Sequence, residues 1–232
     1  MFNISIITLF PEVFPGLLDI SILSRARKNK IWDLNTVDIK SFAKDSKSID
    51  DKPYGGGPGM ILKANILQKA YQKAKDSFKA TDLNNVEKIM LSPQGEEFDQ
   101  SIAEDLSNRK GMIMISGRYE GVDERFVEFN NLRKISIGKY ILCGGEVAAS
   151  VLCESVLRLL PKVMGNKDSK LEESFSNGLL EYPQYTTPRI WNSLSVPEVL
   201  LSGNHKNVKQ WRKEKSIYIS KRVIKKNIKN DS

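Results

Sequence analysis

Three glycine-containing loops follow strand-like segments and have the composition of a ligand-binding site. They read SPQGEE (92–97), GRYEGVDER (117–125) and GKYILCGG (138–145). In an open parallel sheet, the loops beyond the carboxyl ends of the strands converge on one edge, and ligands bind there. None of the three fits G-x-G-x-x-G or the P-loop pattern, so dinucleotide and P-loop phosphate sites are disfavoured. The loops favour a ligand held by backbone groups, such as an adenosine.

A fourth loop, DKPYGGGPGM (51–60), has a different composition. It holds four glycines and two prolines, so it is neither a helix nor a central strand. Its backbone can approach a flat ligand or an RNA strand closely. The alternative interpretation is an ordinary surface loop.

The residue types restrict the chemistry. The single histidine, His205, disfavours His-based triads and histidine metal clusters. A general base must then be an acid, Lys, Tyr or Cys. The segment LEESF (171–175) offers two adjacent acids, which spacing alone does not distinguish from solvated charges.

Alternating strands and helices must position these loops. Strand-like runs occupy 4–10, 34–39, 88–91, 112–116 and 134–137, and helical patterns occupy 17–30, 64–78, 98–106 and 122–129. This alternation predicts an α/β fold with a mostly parallel sheet flanked by helices. A further helix, 146–160, is apolar around nearly its whole circumference, which predicts burial in the core or against another subunit.

Charge is concentrated at the end of the chain. The chain has 232 residues and a net charge of +8. Residues 205–232 carry ten Lys or Arg and two acids, and residues 1–204 have no net charge. A basic tail predicts a polyanion partner, most commonly nucleic acid; the alternative is a solvated, Lys-rich helix. Cys143 and Cys153 are predicted to be small buried hydrophobes. No signal-like leader or long apolar run is seen, so we expect a cytoplasmic protein that does not span a membrane.

Composition also predicts the domain boundaries. We expect a cofactor-binding domain over 1–160, a polar linker over 161–176 and a small, basic, helical domain over 177–232. Within the last segment, one helix is predicted near 197–202 and a second is capped by Asn204. Apolar spacing from residue 217 onward predicts a third helix.

Five motifs together resemble one family. LSPQG (91–95), GRYEGVDER, SIGKYILCGGE (136–146), DKPYGGGPGM and LLSGNH (200–205) closely resemble the bacterial tRNA (guanine-N1)-methyltransferases of the SPOUT superfamily. The resemblance implies a deep trefoil knot and a homodimer with active sites at its interface. It also implies methyl transfer from S-adenosylmethionine to N1 of guanosine 37 in tRNA. Magnesium is implied as a helper, at an unknown site.

The resemblance also assigns binding residues. The expected cofactor residues are Leu91, Pro93, Gln94, Gly117, Tyr119, Glu120, Gly121, Ile137, Gly138, Lys139, Tyr140, Ile141, Leu142, Gly144 and Gly145. The expected substrate residues are Gly57, Gly59, His205, Lys209 and Arg212.

Two catalytic residues follow from the same resemblance. Guanine N1 carries a proton that must leave, and negative charge then builds on O6, so a carboxylate base and a nearby Arg suit the reaction. Arg158, in LRLLPKVMG, matches the family's Arg, and Glu173 matches the acid of its E-D-S-F motif, which here reads E-E-S-F.

The chain departs from the family at two further points: GKY (138–140) replaces GDY, and PQYTTP (183–188) replaces PHYTRP. Two alternative functions remain, and the change to E-E-S-F bears on the second. One is a knotted methyltransferase that modifies a ribose or a different base, and the other is a catalytically impaired or inactive RNA-binding protein. The GGGPG loop, the linker acid and the basic C-terminal segment argue against the first, and the intact cofactor loops argue against the second.

Overall fold

The computed structural model describes residues 1–45, 48–164, 174–175 and 178–230, with side chains described as far as residue 223. The chain divides into two compact units, residues 1–165 and residues 166–232. Each unit is described by itself.

A five-stranded, fully parallel sheet forms the centre of the first unit, in the order β2-β1-β6-β5-β7. These strands are β1 (Phe2–Thr8), β2 (Trp32–Asp38), β5 (Val86–Glu97), β6 (Gly111–Ser116) and β7 (Arg133–Ser136). The predicted α/β class and parallel sheet are confirmed. Each strand begins one or two residues before its predicted start, because the residues that precede the predicted apolar runs also join the hydrogen-bonded ladder.

Helices cover both faces of this sheet. They are α1 (Ser21–Lys28), α2 (Ala64–Lys75), α3 (Gln100–Ser107), α4 (Glu124–Phe129) and α5 (Gly145–Leu157). Alternation along each strand explains the two layers: Ile6 and Met114 face a core with α1, α3 and α5, whereas Ile7 and Ile115 face a core with α2 and α4. The predicted helix 17–30 is in fact a short 3-10 turn followed by α1, because Ile20 between them is extended.

The loop SPQGEE lies within β5 instead of after it. Pairing with β7 shifts between Leu91 and Glu96, so the chain bulges out at the intervening residues and then resumes the ladder. Gly95 passes directly against β7, where an added Cβ would lie 2.4 Å from the backbone nitrogen of Ile135. The bulge therefore projects Pro93 and Gln94 without ending the strand.

Helix α5 is buried on one side only. Ala149, Leu152 and Val156 are fully buried against the sheet, but Val147 and Val151 are 59% and 41% exposed. These two valines lie one turn apart on the outer side. The prediction of burial therefore holds for the inner face of α5 within one protomer.

A short antiparallel pair brackets the glycine-rich loop. It consists of β3 (Asp50–Asp51) and β4 (Ile61–Leu62), which the sequence did not predict because each strand is only two residues long. The pair brings the two ends of the 51–60 loop together.

The described part of the second unit contains a hairpin and two helices. The hairpin pairs β8 (Ile190–Trp191) with β9 (Leu194–Ser195), and α6 (Glu198–Leu201) and α7 (His205–Asn230) follow. Asn204 caps α7 as predicted, since its side-chain oxygen accepts from the Asn207 N–H at 3.1 Å. The helix predicted after Asn204 and the helix predicted from residue 217 onward form one continuous helix, α7. No glycine or proline interrupts the chain from 205 to 230.

Among the helices that the structure describes, none is long and apolar enough to cross a membrane.

Candidate functional site

A cavity of about 340 Å³ opens at the carboxyl edge of the sheet. Its walls come from the bulge in β5, from the loop after β6 and from the segment between β7 and α5. These three segments meet because β6, β5 and β7 are adjacent and parallel, so that their carboxyl ends lie side by side. The predicted convergence of the three loops is observed.

All but one of the fifteen residues predicted to bind the cofactor line this cavity. The exception, Lys139, lines a neighbouring depression with Gly95 and Glu97. The cavity also has lining residues that the sequence did not single out: Met90, Ser92, Arg118, Ile135, Ser136, Cys143 and Ala148. Most of the lining is apolar or backbone, as in cavities that hold small molecules.

Two glycines let the segment before α5 pass against the end of β6. The Gly145 N–H donates to the Gly117 carbonyl at 3.0 Å. A Cβ added to Gly145 would lie 2.7 Å from Cα of Ser116, and one added to Gly144 would lie 2.2 Å from Nε of Arg118. Neither position has room for a side chain, so the glycines are needed for space.

A buried polar cluster supports the same contact. Glu146 is only 3% exposed. Thr8 donates from Oγ1 to Glu146 Oε1 at 2.8 Å, and Arg118 donates from Nε to Oε2 at 2.9 Å. Arg118 also donates from Nη1 to the Cys143 carbonyl at 3.2 Å, and its Cζ lies 4.4 Å from the centre of the Phe10 ring.

The sequence analysis did not predict this cluster, although the sequence contains a signal for it. Glu146 is the acid in the first turn of a helix that is otherwise apolar on its inner side. A carboxylate buried on such a helix requires a cation and hydrogen-bond donors nearby. Arg118, within the glycine-containing loop after β6, was the available partner.

The glycine-rich loop joins the cavity wall along its second half. The Glu120 N–H donates to the Met60 carbonyl at 3.0 Å, and the Leu62 N–H donates to the Gly121 carbonyl at 3.1 Å. Gly59 lies against the side chain of Glu120, which lines the cavity. Neither Gly59 nor Gly57 lines this cavity or the one described next.

A second cavity, of about 500 Å³, lies on the other side of this junction. It is lined by residues 51–54, 61–63 and 122–125. An ion pair borders it, since Arg125 donates to Asp123 Oδ2 at 2.6 Å. Hydrogen bonds from the side chain and the backbone N–H of Arg125 lower the pKa of the Asp123 carboxyl below its ordinary value. The carboxylate is therefore charged at neutral pH.

Tyr119 lines the first cavity and has a positive φ of 59°. Partial burial, together with the Asp50 carboxylate, raises the pKa of Tyr119 above its usual value. Its hydroxyl therefore remains protonated at neutral pH and acts as a hydrogen-bond donor.

Arg158, one of the two predicted catalytic residues, does not line the cavity. Arg158 ends α5, and thirteen residues at 1.5 Å per residue place it roughly 20 Å along the helix from Gly145. Glu173 lies outside the residues that the structure describes. Within one protomer, the cavity and Arg158 are therefore separate.

The predicted substrate residues of the second unit begin α7. His205, Lys209 and Arg212 are spaced by four and three residues, which places them along one face of the helix. His205 and Lys209 are exposed, while Arg212 stacks over Tyr182 with its Cζ 4.6 Å from the ring centre.

The cysteine prediction was half right. Both thiols are free; Cys153 is fully buried in α5, but Cys143 is exposed at the cavity. Burial raises the pKa of the Cys153 thiol far above its usual range. Across the described part of the chain, no group of three or more His, Cys, Asp or Glu residues could hold a metal ion.

These features define an α/β protein with a ligand cavity built from three loops at the carboxyl edge of a parallel sheet. Comparison with known proteins makes the assignment specific. Residues 2–227 match the family model described as tRNA (Guanine-1)-methyltransferase TrmD. The chain belongs to this family, as the resemblance predicted.

Individual relatives support the same assignment. The chain is 49% identical to the tRNA (guanine-N(1)-)-methyltransferase of Pelagibacter ubique, covering 95% of this chain and 94% of that protein. It is 50% identical to the protein of the same name from Carboxydothermus hydrogenoformans, covering 93% and 83%. With the protein of that name from Ehrlichia canis it shares 47% identity, over 94% and 92%.

Proposed function

We propose that this protein is an enzyme that transfers a methyl group from S-adenosylmethionine to N1 of guanosine 37 in tRNA. The observation that carries the proposal is the cavity at the carboxyl edge of the sheet, where the predicted cofactor loops converge. Membership of the tRNA (guanine-1)-methyltransferase family supports the reaction class.

The cavity suits S-adenosylmethionine in size and chemistry. Its volume of about 340 Å³ falls in the range of small-molecule sites. Leu91, Ile137 and Leu142 offer apolar surface for the adenine, backbone groups at the glycines offer hydrogen bonds, and Glu120 offers a carboxylate to a cationic group. When bound, S-adenosylmethionine supplies an electrophilic methyl group on a positively charged sulfur.

The chain's own residues supply the proton chemistry. Glu173 accepts the proton of guanine N1, and Arg158 stabilises the negative charge that builds on O6. Glu is one methylene longer than the family's Asp and has a similar intrinsic acidity, so a Glu side chain suits the role of the base.

A homodimer accounts for the separation of Arg158 from the cavity. Because Arg158 lies at the far end of α5 from Gly145, a second copy must supply it if it acts at this cavity. The exposed Val147 and Val151 give α5 an apolar outer side that a partner subunit would cover. Active sites shared between two subunits follow from this arrangement.

The knot belongs to the same proposal. The tight passage of Gly145 against Ser116 and Gly117 supports a threaded arrangement of the loops after β6 and β7. The proposed domains are 1–160 for the cofactor, 161–176 as linker and 177–232 for tRNA, whose backbone the ten basic residues of 205–232 attract. A cytoplasmic location and a helping role for magnesium complete the proposal.

The first experiment measures methyl transfer from labelled S-adenosylmethionine to two tRNA transcripts, one with guanosine and one with adenosine at position 37. Label on the first alone, recovered as N1-methylguanosine, is the expected result. Label on both transcripts would indicate that the methylated nucleotide is not the one at position 37. No label on either, with cofactor still bound, would favour the inactive RNA-binding protein.

The second experiment tests the catalytic residues. Glu173→Gln removes the base without changing its size, and Glu173→Asp restores the acid of the family motif. We expect the first to lose about 10²–10⁴-fold in kcat, the range of general base catalysis, and the second to stay active. Methylation by Glu173→Gln at the wild-type rate would overturn the assignment.

A further inference from the structure

Glu146 joins three separate segments of the chain around the cavity. One carboxylate oxygen accepts from Thr8, at the end of β1, and the other accepts from Arg118, in the loop after β6. Glu146 itself lies in the first turn of α5, directly after the cavity segment 138–145. Its side chain is therefore fully engaged in hydrogen bonds and nearly inaccessible.

Arg118 carries this connection onward to the cavity wall. While its Nε and Nη2 both lie 2.9 Å from Glu146 Oε2, its Nη1 donates to the backbone carbonyl of Cys143. The planar guanidinium thus holds the 138–145 segment and the loop after β6 in a fixed relation. Both Arg118 and Cys143 line the cavity.

Stability alone does not account for such a pair. The Glu146 side chain is 3% exposed and the Arg118 side chain is 25% exposed, and desolvating an ion pair of this kind costs about as much as the attraction returns. A hydrogen-bonded pair with one buried partner does impose one specific geometry on the segments that it joins. The geometry that it imposes here is that of two cavity walls.

We propose that Glu146 is a positioning residue that sets the shape of the cofactor cavity through Arg118. The inference rests on the proposed function, because the ligand is S-adenosylmethionine. Without the Glu146 charge, Arg118 loses the ion pair that orients its guanidinium. The hydrogen bond from Arg118 to the Cys143 carbonyl is then no longer held in one geometry.

The test compares the full-length wild type with Glu146→Gln, which keeps the size of the side chain and can still accept from Thr8. Asp105→Asn is the matched control, since Asp105 also holds two arginines, Arg109 and Arg133, but lies outside the cavity. Calorimetry gives the Kd of S-adenosylmethionine for each protein, and steady-state methylation of tRNA gives kcat and the cofactor KM.

We expect Glu146→Gln to raise the Kd and the cofactor KM by about ten- to a hundredfold, the range that corresponds to losing one hydrogen bond between charged groups. The kcat at saturating cofactor should change far less, and Asp105→Asn should bind like the wild type. A merely structural role would lower the folded fraction, and hence kcat, while leaving the Kd and KM of folded molecules unchanged. That pattern would overturn the proposal.

Two further variants keep the proposal testable if Glu146→Gln folds poorly. Arg118→Lys retains the positive charge but cannot bond to Glu146 and to Cys143 in the same planar arrangement, so we expect a smaller rise in Kd. Glu146→Asp retains the negative charge and should recover part of the affinity. Wild-type affinity in Arg118→Lys together with no recovery in Glu146→Asp would overturn the proposal.

Binding of S-adenosylmethionine by the wild type separates a failure of the proposed function from a failure of the positioning role. If the wild type itself does not bind S-adenosylmethionine, the proposed function is wrong and the role of Glu146 falls with it. If the wild type binds and methylates but Glu146→Gln binds equally well, only the positioning role is wrong.

Discussion

Two glycine-containing segments of this protein use their glycines for different reasons. In the 138–145 segment, Gly144 and Gly145 are packed against Arg118 and the end of β6, where an added Cβ would collide. In the 51–60 loop, Gly55 and Gly56 have open space around the position of a Cβ but positive φ angles of 86° and 82°. The first segment needs glycine for space and the second needs it for backbone conformation.

This difference separates two kinds of site. A segment packed against a strand end is fixed before the ligand arrives, which lowers the entropic cost of binding. A loop whose glycines face open space has few contacts to hold it, as expected of a segment that adjusts to a large substrate. Under the proposed function, we therefore expect tight cofactor binding by the first segment and contact with RNA by the second.

Gly145→Ala should have the largest effect on cofactor affinity. Its Cβ would lie 2.7 Å from Cα of Ser116, so the backbone itself must shift. Overpacking of this kind costs about 1–3 kcal/mol, and we expect the Kd for S-adenosylmethionine to rise by about ten- to a hundredfold. Calorimetry measures it, and wild-type affinity in this variant would refute the idea of a tightly packed cavity wall.

Gly59→Ala should have an intermediate effect. Its φ is +77°, and the new Cβ would lie 2.4 Å from Cγ of Glu120, a side chain of the cavity wall that can move aside. We expect a loss of about 1–2 kcal/mol in the free energy of unfolding from the left-handed backbone, with a smaller rise in cofactor Kd than Gly145→Ala gives. Urea unfolding and calorimetry on the same sample measure both. A larger rise in Kd than for Gly145→Ala would reverse the comparison.

Gly56→Ala should leave cofactor binding unchanged. No heavy atom lies within 4 Å of the added Cβ, so only the φ of +82° opposes the substitution. We expect wild-type Kd for S-adenosylmethionine and a reduced kcat/KM for tRNA, because the stiffer loop adapts less well to RNA. Methylation titrated against tRNA at saturating cofactor measures this. A kcat/KM for tRNA in Gly56→Ala equal to that of the wild type would contradict the expected contact between this loop and RNA.

Asp99→Ala serves as a reference variant, because it should lower stability without affecting cofactor binding. Asp99 caps α3, accepting from the Ile102 N–H at 2.9 Å, and its loss should cost ~1 kcal/mol of unfolding free energy with no change in cofactor Kd. The Ser101 hydroxyl and the Ile102 N–H hold the pKa of Asp99 below its ordinary 3.8. Its charged form therefore stabilises the fold above that value, and this contribution is lost as the pH falls through the lowered pKa.

Asp99→Asn is the matched variant for the pH effect, since it keeps a capping oxygen without the charge. Urea unfolding at neutral pH and near pH 3 should show less acid destabilisation in Asp99→Asn than in the wild type. Identical pH dependence in the two proteins would contradict the assigned pKa shift.

Local patterns predicted the elements well where those elements are long. The strands β1 and β6 and the helices α2 and α5 were all predicted, because their apolar residues repeat at the period of the element. The two-residue strands β3, β4, β8 and β9 were not, because two residues are too few to show a period. The continuous α7 was predicted as two helices, since its apolar residues do not form one regular pattern along its length.

The sequence by itself determined the family, the parallel α/β layers and the loops that line the cavity, because these depend on motifs and on residue periodicity. Only the tertiary structure decided how those loops are held. The pairing of Glu146 with Arg118 spans 28 residues of sequence, and its bond to Thr8 spans 138. No local pattern encodes such contacts, since they exist only once the strands have been placed side by side and the ends of the chain segments meet.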